Sequence, residues 1–167
     1  MPFIDRLSDL TGRATSWLTL VMTVVTFVIV ILRYAFDAGY IWVQESVTLM
    51  HALVFMLGAA YALHHEEHVR VDIFYRGMSP RQRAWVDVAG VALFLFPLCA
   101  YLAVESWDFV AASWSMREAS RESGGLPYPF VPLLKSVLLV MPVLLALQGL
   151  SLLLGSVGVL RRPDAAA

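Results

Sequence analysis

Charged residues are excluded from four long stretches of this chain. Ala14 to Leu32 contains none, and its length is close to the ~20 residues that cross a hydrocarbon core of about 30 Å. Ile41 to Leu63 is interrupted only by Glu45 near its start, with Gln44 beside it and His51 further in. Ala84 to Val104 carries Asp87 one turn from its beginning and Glu105 just past its end, and its helix is read as running on toward Met116. Phe130 to Leu154 is the last stretch, followed by Arg161 and Arg162. In lipid, backbone groups satisfy one another by forming helices. The pattern therefore predicts an all-α integral membrane protein of four transmembrane helices, at about 14–32, 41–63, 84–104 and 130–154, forming a single membrane domain over residues 1–167.

Between the spans the chain changes character. Residues 64–83, from His64-His65-Glu66-Glu67-His68 to Arg83, are too charged to cross, and 105–129 ends in a stretch of Arg, Glu, Ser, Gly and Pro that reads as a loop. Before the first span, Phe3, Leu7 and Leu10 share one helical face while Asp5, Ser8 and Asp9 lie elsewhere. This predicts a short amphipathic helix lying in the membrane surface. The first span lacks the small-residue cleavage site of a signal peptide, since Tyr34-Ala35-Phe36-Asp37 follows it, and it is read as retained.

Charge then orients the spans, because cytoplasmic segments keep an excess of Lys and Arg. Arg6, Arg13, Arg70, Arg76, Arg81, Arg83, Arg161 and Arg162 lie on one side, against Arg33, Arg117 and Arg121 on the other, with Lys135 one turn into the last span. Both termini and the 64–83 loop are expected in the cytoplasm, and 105–129 in the periplasm. Trp17 and Trp85 then fall at the inner interface, and Tyr34, Trp42, Trp107 and Tyr128 at the outer one.

Composition agrees with the pattern. Of 167 residues, 59% are hydrophobic and 15% charged, against roughly 45–50% and about 25% in a soluble domain. Net charge is −1 with no basic stripe, so nucleic acid is not an expected partner. Cys99 is the single cysteine and has no partner for a disulfide or a cysteine metal cluster.

Polar side chains inside the spans are the informative ones. Thr15, Thr19, Thr23 and Thr26 share one face of the first span, and Arg33 continues it. That face is expected to meet protein rather than lipid, by back-bonding threonines that aid packing or by specific bonds to another helix. Glu45, one turn after Trp42, is expected to pair with Arg33 or Lys135 near the outer interface. Pro142 removes a hydrogen bond to the Leu138 carbonyl and is expected to kink the fourth span. Gln148 and Ser151 are read as docking a partner helix. The four histidines do not make a bis-histidine haem site, since only His51 lies well inside a span, and the His-Glu cluster at 64–68 reads as a solvated face. No nucleophile with a base, phosphate-binding glycine loop or carboxylate dyad points to an enzyme, and no metal ligands are assigned.

Several short motifs, in order around the four spans, resemble the small membrane subunit of tripartite ATP-independent periplasmic (TRAP) transporters. These are Arg33-Tyr34-Ala35-Phe36, Trp42-x-x-Glu45, Gly58-Ala59-Ala60 and His68-Val69-x-Val71-Asp72. Gly125-Leu126-Pro127-Tyr128 and Lys135-Ser136 are similar to a mannitol or chloroaromatic branch of that family. Val143-Leu144 departs from it, where a glycine is expected after Pro142. The resemblance implies a bacterial inner-membrane scaffold subunit, a large membrane partner that carries the substrate and coupling-sodium sites, and a periplasmic substrate-binding protein that delivers an organic acid. It implies no cofactor in this chain. Thr15, Thr19, Thr23, Thr26, Arg33, Trp42, Glu45, Lys135 and Gln148 are then candidates for structural or subunit-interface roles. Two alternatives stay open: a membrane anchor of an electron-transfer complex, which needs haem ligands, and a self-sufficient oligomeric transporter, which needs intramembrane polar groups or an internal repeat.

Overall fold

The computed structural model describes residues 2–65 and 77–161. His68, Val69, Arg70, Val71, Asp72, Arg76 and Arg162 lie outside the described residues. The elements are α1 (Pro2–Ala35), α2 (Ile41–His64), α3 (Pro80–Gly90), a π-helical turn (Val91–Leu95), α4 (Phe96–Ser115) and α5 (Phe130–Arg161). Four helical stretches are long and apolar enough to cross a membrane: Ile4–Ala35, Ile41–His64, Pro80–Ser115 and Phe130–Arg161. Each contains one of the apolar runs of the sequence.

The amphipathic N-terminal stretch is continuous with the first span. With 34 residues at 1.5 Å each, α1 is about 51 Å long and outreaches a hydrocarbon core of about 30 Å. Its first turns present Ser8 and Gly12 inward while Leu10 stays two-thirds exposed. Ser8 of the polar face finds a partner on another helix, while Leu10 is left outward. Further along, Thr15 is buried and Leu18, Met22, Val25, Ile29 and Leu32 are half-buried, alternating three and four residues apart. That is the seam of a left-handed helix crossing, and its main neighbour is α2.

The third span is one helix with a wide turn. Phe96 N–H bonds back to the carbonyl of Val91, five residues earlier. Pro97 follows directly; it lacks an N–H, and in a regular α-helix its ring meets the carbonyl four residues back, so the wider turn accommodates it. At the start, Ser79 caps the helix reciprocally with Gln82: Gln82 N–H donates to Ser79 Oγ at 3.3 Å and Ser79 N–H to Gln82 Oε1 at 2.9 Å, with Pro80 in the first turn. Pro142 lies fully buried within α5, whose helix continues through it.

Neighbour relations order the helices as a row: α1 lies on α2, α2 on α5, and α5 on α3, the π turn and α4, while α1 also touches α5. Such a row leaves two broad faces uncovered. The buried apolar side chains among the described residues are accordingly small: Ala60, Ala84, Val91, Cys99, Val110 and Val137, with Pro132 and Pro142. Close approach rather than bulk holds the contacts, as expected where lipid supplies no hydrophobic drive. A Cβ on Gly12 would lie 2.1 Å from the Tyr61 ring, one on Gly149 would lie 2.4 Å from Leu95, and Gly58 faces Thr15 at 3.9 Å. Gly58-Ala59-Ala60 is thus part of the α1–α2 contact.

Candidate functional site

The polar groups gather at the two ends of the row. At one end the loop between α4 and α5 folds over the start of α2. Helix α4 closes in a left-handed turn at Arg117 (φ 49°), with Glu118 N–H bonded to the Ser113 carbonyl at 3.0 Å and Arg117 N–H to that of Trp114 at 3.2 Å. This turn aims Glu118 at two donors, Ser113 Oγ at 2.7 Å and Lys135 Nζ at 2.6 Å. Lys135 also sits 3.9 Å above the centre of the Phe109 ring. The hydrogen bond from Lys135, then that from Ser113, hold the Glu118 carboxyl below the usual carboxylate range.

Lys135 is therefore committed to Glu118, and the expected pairing of Glu45 with Arg33 or Lys135 is replaced by another arrangement. Glu45 accepts hydrogen bonds from the Ser120 hydroxyl and from the backbone N–H of Leu126, the latter at 2.6 Å. Neutral donors from the loop reach it because Ser120 N–H also bonds the Leu126 carbonyl at 3.0 Å, pinching the loop together. Trp42 N–H, an orphan donor of the first turn of α2, is capped by the Gly124 carbonyl at 3.1 Å. Gly125 is needed by this approach, since a Cβ there would lie 2.3 Å from Ser120 Oγ and 2.7 Å from Glu45 Oε2. The Trp42-x-x-Glu45 and Gly125-Leu126 motifs, far apart in sequence, are two halves of one junction. Trp114 Nε1–H donates to Ser136 Oγ at 2.9 Å and secures the loop's flank to α5.

At the other end, buried Gln148 of α5 joins three helices. Its Oε1 accepts from Ser8 Oγ at 2.8 Å, and its amide nitrogen lies 3.0 Å from His64 Nδ1. Ser151 Oγ donates to Asp5 Oδ1 at 3.0 Å. An open cleft of about 510 Å³ lies beside them, lined by His64, Arg83, Asp87 and Ser156 among others. Sequence reasoning singled out Gln148 and Ser151 but not Ser8 or Asp5, whose role depends on α1 reaching α5.

Between the ends, chemistry is sparse. The four threonines of the first span bond to their own helix: Thr15 to Gly12 O, Thr19 to Thr15 O, Thr23 to Thr19 O and Thr26 to Met22 O, at 2.8–3.0 Å. Only Thr15 is buried; Thr19, Thr23, Thr26 and Arg33 face outward. His51 lies on the outer surface of α2 with its ring 4.6 Å from that of Phe55. The middle of the row holds no cluster of ionisable groups among the described residues.

Four apolar helices tied at their ends by polar junctions define a multi-pass integral membrane protein. Residues 22–158 match the family described as tripartite ATP-independent periplasmic transporters, DctQ component, and the chain belongs to that family. It is a component of a transporter in the bacterial inner membrane, not an enzyme. A C4-dicarboxylate TRAP transporter small permease protein from Vibrio cholerae serotype O1 is 30% identical over 88 residues. That alignment takes in 53% of this chain and 38% of the relative, so the chain spans well under half the length of that protein. No solved structure matches the chain.

Proposed function

We propose that this chain is the small scaffold subunit of a sodium-coupled TRAP transporter that imports an organic acid delivered by a periplasmic binding protein. Transport sites for ions and solutes draw on several polar or carbonyl groups converging near the midplane. Here the polar side chains that bond from helix to helix, or from helix to loop, among the described residues lie at the two ends. That placement is the observation that carries the reading. The uncovered faces of the row, including Thr19, Thr23 and Thr26, are then surfaces for a large membrane subunit that holds the substrate and sodium sites. The loop over Trp42 and Glu45 is a stiff outer platform on the periplasmic side, and both termini are cytoplasmic. The relative's name puts C4-dicarboxylates first among solutes to assay, with mannitol and chloroaromatic compounds next on the sequence resemblance.

Reconstitution tests this directly. The subunit alone in liposomes, under an inward sodium gradient, is expected to take up no labelled acid. Addition of the large subunit and binding protein produces uptake that collapses when sodium is replaced by potassium, and omission of the small subunit abolishes it. Accumulation by the small subunit alone refutes the scaffold role.

A further inference from the structure

Apart from the transport assembly, the α1–α2 crossing makes a second chemical feature. Asp9 of α1 and the consecutive His64 and His65 closing α2 bring one donor atom each to within 4.8 Å of one another. The close approach of Gly12 to Tyr61 creates this meeting, because it presses the start of α1 onto the end of α2.

The rings are held in place. His65 Nδ1 lies 3.2 Å from the Tyr61 carbonyl, a contact that needs a proton on Nδ1. His65 Nε2 is then the lone-pair nitrogen, and it is the atom that faces Asp9 Oδ1, at 3.6 Å. The ring also stacks on Tyr61, with centroids 4.1 Å apart. His64 has its Nδ1 3.0 Å from the Gln148 amide and 3.6 Å from Asp5 Oδ1. Metal-binding histidines are oriented as His65 is, one ring N–H donating to a carbonyl or carboxylate and the other nitrogen presented to the cation. His64 Nδ1 accepts from the Gln148 amide in the free protein, so His64 binds the ion through Nε2 with its proton moved to Nδ1, on the side of Asp5. The 3.6 Å gap between Asp9 and His65 is too long for a hydrogen bond. It suits two donors that each sit about 2.0–2.2 Å from one shared ion.

We propose that Asp9, His64 and His65 form a three-ligand site for a divalent transition cation of the Zn²⁺ type, with the remaining position taken by water. Two imidazole nitrogens and one carboxylate oxygen suit Zn²⁺ and its neighbours; Mg²⁺ and Ca²⁺ prefer all-oxygen sets. His65 is exposed, so the ion enters from solvent. Once bound, it clamps the first turns of α1 to the last turn of α2. The site stands independently of the transport reading.

The test uses the full chain, purified in detergent with a tag free of histidine and stripped with chelator, then titrated with Zn²⁺ by calorimetry. One ion per chain is expected, with a rise in thermal midpoint on loading. Asp9→Asn and His65→Gln are each expected to weaken binding at least about tenfold and to remove the thermal gain, while His51→Gln keeps both. Folding of each variant is followed by circular dichroism. Co²⁺ loading of the unmutated chain gives a second readout, a visible absorption band of low-symmetry cobalt. Failure of the folded, unmutated chain to bind Zn²⁺ overturns the proposal. So does binding that survives in both variants but is lost in His68→Gln.

Discussion

Glu45 and Glu118 show how a carboxylate near a membrane surface is used structurally. Each accepts from two donors, and each ties the α4–α5 loop to a helix. Glu118 allows a pH test, because its folded value lies below the ordinary one through the Lys135 and Ser113 hydrogen bonds. A group with a depressed folded pKa stabilises in full above its unfolded value, about 4.3 for Glu, and loses that stabilisation as pH falls through the folded value. At pH 7 Glu118→Gln is therefore expected to lower the melting temperature of the detergent-solubilised protein. The gap between the two proteins should hold down to about pH 5 and close below the usual carboxylate range. A gap that persists unchanged in that acidic range would show that the pair with Lys135 is not its source.

At the scale of elements, close approach outweighs propensity. Gly12 is a poor residue for a helix interior, by roughly 0.5–1 kcal/mol relative to Ala, yet α1 runs through it without a break. The Tyr61 ring fills the place where a Cβ would stand. Gly12→Ala improves helix propensity and still forces the crossing apart, and overpacking of this kind costs about 1–3 kcal/mol. The variant is expected to unfold at lower denaturant and to lose the Ser8–Gln148 hydrogen bond, read as faster amide exchange in the first turns of α1. Stability equal to or above that of the unmutated protein would remove the crossing from this account. In the third span the backbone widens into a π turn that accommodates Pro97, and the side chains of Val91, Leu95 and Phe96 at that turn pack against Gly149.

For the whole molecule, the row of helices has two ends with different chemistry, and the proposed orientation assigns each a side of the membrane. Arginine asymmetry carries that assignment. Single cysteines at Gly77 and Ser123, in a Cys99→Ser background, are expected to separate under an impermeant maleimide. In intact cells position 123 should be labelled and position 77 should require permeabilised cells. The reverse pattern inverts the topology.

Span number and helical class were legible in the sequence because exclusion of charge over long runs is a one-dimensional signal, set by the thickness of the bilayer and the need to satisfy backbone groups. The threonines of the first span shared a face by helical periodicity, but that periodicity did not say that Thr15 alone of them is buried. Which side chains meet was not. Glu45 was assigned a cation by proximity to charge, whereas the loop delivered Ser120 and the Leu126 N–H, and Lys135 went to Glu118. The inward turn of Ser8, the continuity of α1 and the meeting of Asp9 with His64 and His65 likewise depend on one crossing at Gly12. A glycine in a sequence does not say which ring will rest on it. Hydropathy records the transfer of each residue from water to lipid, but partner choice between polar groups depends on distances of a few ångströms that only the packed helices set.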